Sequence, residues 1–279
     1  MKKILLLAAA AMLVGCITDP NVIPPEDQQD VNIFLAPSRA PAQTETTYTL
    51  SDFCTHLDVW FYEGETLAAE VHQSSTDEGF GEISLTLNRR KTYQMIAVSH
   101  KCTGNATLTN NVIAFPDEKV THAFVGKTTF SPQTISSIDL DMNRIVGQFR
   151  MTITDIVPDE VAKFVFTVAH TGTRWNVSTD AAANIIDRTS TINLTQRDQG
   201  GGATLVLYII PDDLTQAYEY DIHVEAQTSA GVMVESHDFE DVQIQAGYKS
   251  LYQGQFFVAT PMSFSFLVTD WNEFDVVEF

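Results

Sequence analysis

Positive charge is scarce in this chain. Its 16 lysines and arginines face 36 aspartates and glutamates, a net charge of −20 over 279 residues. That balance argues against nucleic acid and anionic lipid headgroups as partners, because both recruit cations. Cysteine is also sparse, at 3 residues, too few for a disulfide-built scaffold. The apolar run at residues 4–14 is eleven long, well short of the ~20 residues a membrane-crossing helix needs. Catalytic signatures are missing as well. There is no HExxH, no GxSxG, no Walker loop, and no GxGxxG leading into a helix. No window of helical length keeps a 3.6-residue period, which removes helix bundles and βαβ folds from consideration.

The N-terminus has a clear pattern. Lys2 and Lys3 precede the apolar run, and Leu13-Val14-Gly15-Cys16 follows at its exit. This is the lipobox pattern of bacterial lipoproteins, with cleavage expected after residue 15 and lipid attachment expected on Cys16. Each buried methylene of an acyl chain adds about 0.8 kcal/mol, so two or three chains hold a protein on a membrane. Residues 16–43 carry Pro20, Pro24, Pro25, Pro37 and Pro41 among many acids. That composition predicts a lipidated tether, with Val31, Ile33 and Leu35 its one apolar alternation.

From Thr47 onward period-2 alternation dominates. "LDVWFY" sets Leu57, Val59 and Phe61 against Asp58, Trp60 and Tyr62. "EISLTL", "IVGQFRMTI", "KFVFTVAH", "ATLVLYII", "YEYDIHVEA", "GVMVES" and "MSFSFLV" follow the same rule. Turn signals fall at "EGE" (Glu63), "NRRK" (Asn88), "HTGT" (His170), "GGG" (Gly200) and "TSAG" (Thr228). Only "DAAANIID" reads as a short helical turn. The prediction is an all-β chain of two tandem antiparallel sandwiches, residues 44–141 and 142–279, after the signal (1–15) and tether (16–43). "TYQMIAVSH" and "YEYDIHVEA" echo each other across the seam at "SSIDLDMNRIVGQF".

Candidate chemistry is thin. Cys54 and His56 are two apart, as are His100 and Cys102. Antiparallel pairing would oppose Cys54 to Cys102 and His56 to His100, giving either a disulfide or a Cys2His2 metal site. The disulfide is the expectation, because an exported chain is oxidised before it meets metal. Asp139, Asp141 and Asn143 open like a calcium loop, but Arg144 and Arg150 stand where that loop needs Gly and Glu. "DQGGGA" is read as a hairpin tip, and Arg144 and Arg150 as solvent-exposed or interdomain ion-pair partners. Trp60, Tyr62, Trp175 and Trp271 are available as sugar-stacking aromatics or as sheet packing. No catalytic residue and no cofactor is expected.

The lipobox, the acidic tether, "LDVWFYEGETL", "YQMIAVSHKCTGN", "DMNRIVGQFRMTITDIVPDEVAKFVFTV", "GYKSLYQGQFF" and "FSFLVTDWNEFDVVEF" together resemble the FimB-type fimbrial anchor family of Bacteroidetes bacteria. The resemblance implies two transthyretin-like domains on an outer-membrane lipid anchor. It also implies other fimbrial subunits as partners through strand exchange, with Val31, Ile33 and Leu35 of the tether completing their own domain, and a host protein or glycan as a further ligand. In polymerising relatives the N-terminal segment is cut after an arginine, a role Arg39 in "APSRAP" would fill. A tip or stalk pilin and a glycan-binding surface lipoprotein are the alternatives.

Overall fold

The computed structural model describes residues 25–38, 48–195, 200–258 and 265–270, the last as backbone only. Alternating apolar residues become strands because each strand then turns one face to a core. The first half contains β1 (Gln28–Pro37), β2 (His56–Glu63), β3 (Thr66–Ser74), β4 (Glu82–Asn88) and β5 (Tyr93–His100). It continues with β6 (Thr107–Thr109), β7 (Val112–Ala114), β8 (Ala123–Phe130) and β9 (Ser137–Arg144). The second half contains β10 (Gly147–Ile153), β11 (Lys163–Asn176), β12 (Ala181–Asn193) and β13 (Ala203–Ile209). β14 (Tyr218–Gln227), β15 (Met233–Ile244), β16 (Tyr248–Gly254) and β17 (Ser265–Asp270) complete it. Among the described residues there is no α-helix, only short 3-10 turns.

In the first half the pairing order is β3-β2-β5-β8-β9-β1-β4. β9 changes partner along its length: Ser137 to Met142 run parallel to β1, while Asn143 and Arg144 pair β8. The path therefore folds over, and the β9-β1-β4 layer faces the β3-β2-β5-β8 layer across a core of Val31, Ile33, Leu57, Phe61, Met95 and Met142. Gly126 on β8 leaves room for side chains of the facing layer. A Cβ there would lie 2.9 Å from Leu140 Cδ2 and 3.1 Å from Met142 Cγ.

The second half repeats this order. β13-β10-β16 matches β4-β1-β9, including the mix of one antiparallel and one parallel neighbour for the central strand. β12-β11-β14-β15 likewise matches β3-β2-β5-β8. The echoing segments "TYQMIAVSH" and "YEYDIHVEA" lie on β5 and β14, which occupy equivalent places. The core here is built on Phe149, Phe164, Phe166, Leu207, Val224 and Val242. β17 is an addition, antiparallel to β16 at the edge of its layer.

A third core joins the halves. The second face of β2, β5 and β8 supplies Trp60, Ile96, Val98 and Val125, which pack with Ile145, Val146, Trp175 and Ile210. β7 goes further and pairs with β11, Ile113 against Trp175, so the β6–β7 hairpin of the first half extends a sheet of the second.

Several expectations need correction. Residues 28–37 are a strand and not free tether, and the Val31, Ile33 and Leu35 alternation completes the adjacent half by filling a central slot, with those side chains 0%, 0% and 6% exposed. "DAAANIID" lies in β12, because pairing with β11 outweighs the helix preference of its alanines. The small residues are needed there, since a Cβ on Gly172 would come within 2.7 Å of Ala182 Cβ. "HTGT" is a bulge inside β11, with His170 at φ 51°, not a turn. "GGG" links β12 in one layer to β13 in the other, so it is not the tip of a hairpin.

Candidate functional site

β1 is the most distinctive feature of the first half. Antiparallel to β4 from Gln28 to Phe34 and parallel to β9 from Asn32 to Pro37, it uses both of its backbone edges. Leu35 N–H donates to Gly81 O at 2.8 Å and Ser38 N–H to Met142 O at 2.8 Å. Thr86 Oγ1 donates to Asp30 Oδ1 at 2.6 Å, and Ser84 Oγ donates to Asn32 Oδ1. Full burial of each of Val31, Ile33 and Leu35 contributes roughly 1.5–3 kcal/mol. A strand held this way fills a groove that would otherwise present an apolar floor and two unpaired edges. Arg39 and Cys16 lie outside the described residues.

The opposite end of the chain behaves in a complementary way. β17 lies on β16 from Gln253↔Ser265 to Tyr248↔Asp270. The corresponding edge of β9, along Ser137 to Met142, has no such neighbour among the described residues. Its outward residues Asp139 and Asp141 are exposed, as charges on open edges often are. They lie in extended strand, which is not the geometry of a calcium loop.

The histidine and cysteine group assembles only in part. His56 does pair with His100, and their rings stack at 5.5 Å and 5°. Cys54 and Cys102, expected as a disulfide, are both free and buried. The reason is that they point to opposite faces of the β2–β5–β8 layer, Cys54 into the first core and Cys102 into the interhalf core. Cys102 Sγ donates to Lys119 O at 3.0 Å, while burial pushes the Cys54 thiol up to about 12. The alternative metal site also fails to form. Among the described residues no three histidine, cysteine or carboxylate side chains gather in a way that would hold an ion.

What engages His100, together with His72, is a residue with no motif around it. Asp58 is completely buried in the layer. Its Oδ1 bonds His72 Nδ1 at 2.6 Å, and its Oδ2 bonds His100 Nε2 at 3.0 Å and accepts Ala106 N–H at 2.8 Å. Burial opposes the charge on Asp58, but these bonds prevail and hold its carboxyl below the usual range. His100 Nδ1 accepts Cys102 N–H at 3.2 Å, which locks the ring. The buried carboxylate thus ties β2 to β3, to β5 and to the segment before β6.

A second network crosses between the halves. Arg144 lies over the rings of Phe124 at 4.3 Å and Phe53 at 5.2 Å. Its Nη1 donates to His122 Nδ1 at 2.8 Å, and His122 Nε2 meets Tyr208 Oη at 2.7 Å. Burial first, then the charges of Arg144, Lys101 and Lys249, depress His122 to about 3, so the ring is neutral. An always-charged guanidinium on Nδ1 forces the proton onto Nε2, from which it is donated to Tyr208. Arg144 is therefore a part-buried connector at the junction between the halves.

The aromatics are also accounted for. Trp60 and Trp175 are 4% and 0% exposed and belong to the interhalf core, so neither offers a face to a sugar. Tyr62 packs partly buried against the same core, and Trp271 lies outside the described residues.

No family model and no curated protein matches the chain in sequence. Solved structures do share its fold. A candidate cell adhesion protein of Bacteroides eggerthii aligns over 88% of this chain and 96% of its own, with TM-score 0.53 and 10% identity. A candidate adhesin of Bacteroides thetaiotaomicron covers 88% and 98%, with TM-score 0.52 and 10% identity. A candidate cell adhesion protein of Bacteroides ovatus covers 87% and 98%, with TM-score 0.51 and 12% identity. At such identities the likeness is one of fold.

Proposed function

We propose that this chain is a non-catalytic adhesive or fimbrial subunit, held on the outer membrane through lipid on Cys16 and joined to other subunits by strand exchange. In this reading it comprises two tandem transthyretin-like sandwiches, and the first takes in β1 from the segment before residue 44. The observation that carries the proposal is the seating of β1. A strand from the N-terminal segment fills a central slot, and in the sequence Arg39 follows two residues after the strand ends at Pro37. The repeated strand order, the shared fold with candidate adhesins and the resemblance of the sequence to fimbrial anchors support the same reading. An anchor keeps β1 and its lipid, whereas a polymerising subunit cut after Arg39 gives up its covalent hold on both. A groove emptied of β1 then offers main-chain donors and acceptors to a partner strand.

Mass spectrometry of the protein from its native envelope tests this. Acylated Cys16 still continuous with residues 17–39, together with co-purification of a fimbrial polymer, is the result expected of an anchor. A mature terminus at Ala40 reassigns the chain as a polymerising subunit. A protein with unmodified Cys16 and no fimbrial partner overturns the proposal.

A further inference from the structure

The two layers of the second half leave a groove of about 700 Å³ between their edge strands, β12 on one side and β13 on the other. Residues 117–121 of the first half close one end of it. Burial alternates along β12, so Arg188, Ser190 and Ile192 turn inward while Thr189 and Thr191 turn to the outer face. Arg188 is the unexpected member of the inward row, because it is charged and only 8% exposed. Its Nη2 reaches across the seam and donates to Tyr208 O on β13, while Nε is buried with no partner. Among the described residues no carboxylate compensates it. Glu118 is committed to Arg174 at 2.7 Å and to Asn184 at 3.3 Å, and Asp187 accepts His170 N–H at 2.9 Å. Burial alone lowers the guanidinium to about 10, so it still carries its charge at neutral pH.

A charge held out of water without a counter-ion is costly, and a leucine would fill the same position on an edge strand without that cost. The guanidinium therefore suits a ligand that brings the missing anion, and a carboxylate is the group it pairs with most readily. The surroundings narrow the ligand further. On either side of Arg188 the seam is mainly apolar. Ile186 precedes it on the same face of β12, Ile192 follows and packs against the second-half core, and Val206 and Leu207 line the groove from β13. The strand run from Arg188 to Ile192 is about 13 Å long, room for an extended alkyl chain. Asp117 and Asp187 at the mouth repel polyanions. A neutral lipid would leave Arg188 unpaired, and a polyol would gain nothing from the isoleucines. A single carboxylate on an apolar body meets all of these conditions.

We propose that this groove binds an aliphatic monocarboxylate, a fatty acid of medium chain length, with its carboxylate on Arg188 and its tail along the seam toward Ile192. The site is separate from the β1 slot and the β9 edge, and it works however subunits assemble. Calorimetry and saturation-transfer NMR test it, with sodium octanoate as the probe. The protein is the whole chain from residue 16 onward, carrying Cys16→Ser so that no acyl group of its own competes. The expectation is octanoate binding in the millimolar range or tighter. Butyrate, which buries fewer methylenes, should bind at least about tenfold more weakly. Octanol, which brings no anion, should also bind at least about tenfold more weakly. In Arg188→Leu the advantage of octanoate over octanol should vanish. Ile186→Glu changes a side chain that is 39% exposed and on the same face as Arg188. It should weaken octanoate at least about fivefold by like-charge repulsion, and it covers the case in which Arg188→Leu does not fold. No octanoate binding at about 10 mM, equal binding of butyrate or octanol, an octanoate preference that survives Arg188→Leu, or undiminished binding in Ile186→Glu would overturn the proposal.

Discussion

Protonating one histidine should loosen the junction between the halves. His122 accepts from Arg144 on Nδ1 and donates from Nε2 to Tyr208. A second ring proton would set N–H against N–H at the guanidinium. The groups facing the ring include Arg144, Tyr208 and, at longer range, Lys101 and Lys249, and none of them rewards the added charge. His122 titrates near 3 in the folded protein against 6.5 in the unfolded chain. Below pH 6.5 the unfolded state therefore binds the extra proton, and stability falls as pH drops, levelling off only near the folded value. Between about pH 7.5 and about pH 5 this linkage removes about 2 kcal/mol. His122→Gln keeps an acceptor and a donor but cannot titrate. Urea unfolding of both proteins across that range isolates the effect, since His100, His56 and Asp58 titrate equally in each. The wild type should lose about 2 kcal/mol more than the variant. Parallel losses, within about 0.5 kcal/mol, would refute the neutral-ring arrangement.

Asp58→Asn leaves His72 and His100 without their carboxylate and should cost about 3 kcal/mol of unfolding free energy; a loss under about 1 kcal/mol would show the network to be dispensable. Gly147→Ala places a Cβ 2.6 Å from Gln245 O and 2.6 Å from Ile244 Cγ2. It should cost about 2 kcal/mol by thermal melting, while Gly201→Ala, with nothing within 4 Å, should be near neutral. Cys54 and Cys102 should resist a thiol reagent in native buffer and react fully in denaturant, read by peptide mapping; a mass two hydrogens lighter across the pair would refute the free-thiol arrangement.

Much of the β architecture is readable from alternation alone, because most of the strands have at least one face in a core. The same rule misreads β2. Asp58 and Trp60 alternate with Leu57 and Val59 like an outward face, yet that face is buried by the other half of the molecule, a contact no local period reports. β1 is marked only by its five alternating residues, whose setting among prolines and acids suggests a tether. The cysteine spacing gave the correct histidine pair and the wrong sulfur pair, because Cys54 precedes β2 and Cys102 follows β5, where strand alternation no longer fixes direction. Asp58, His122 and Arg188 matter through neighbours 14 to 86 residues away, and nothing around them in the chain marks them out.

The threading of β7 into the far sheet affects how the molecule can be divided. Its strand order is doubled, but scissors placed between Arg144 and Gly147 would strip a rib from β11 and bare Trp175. Duplication in the plan has thus become indivisibility in the object.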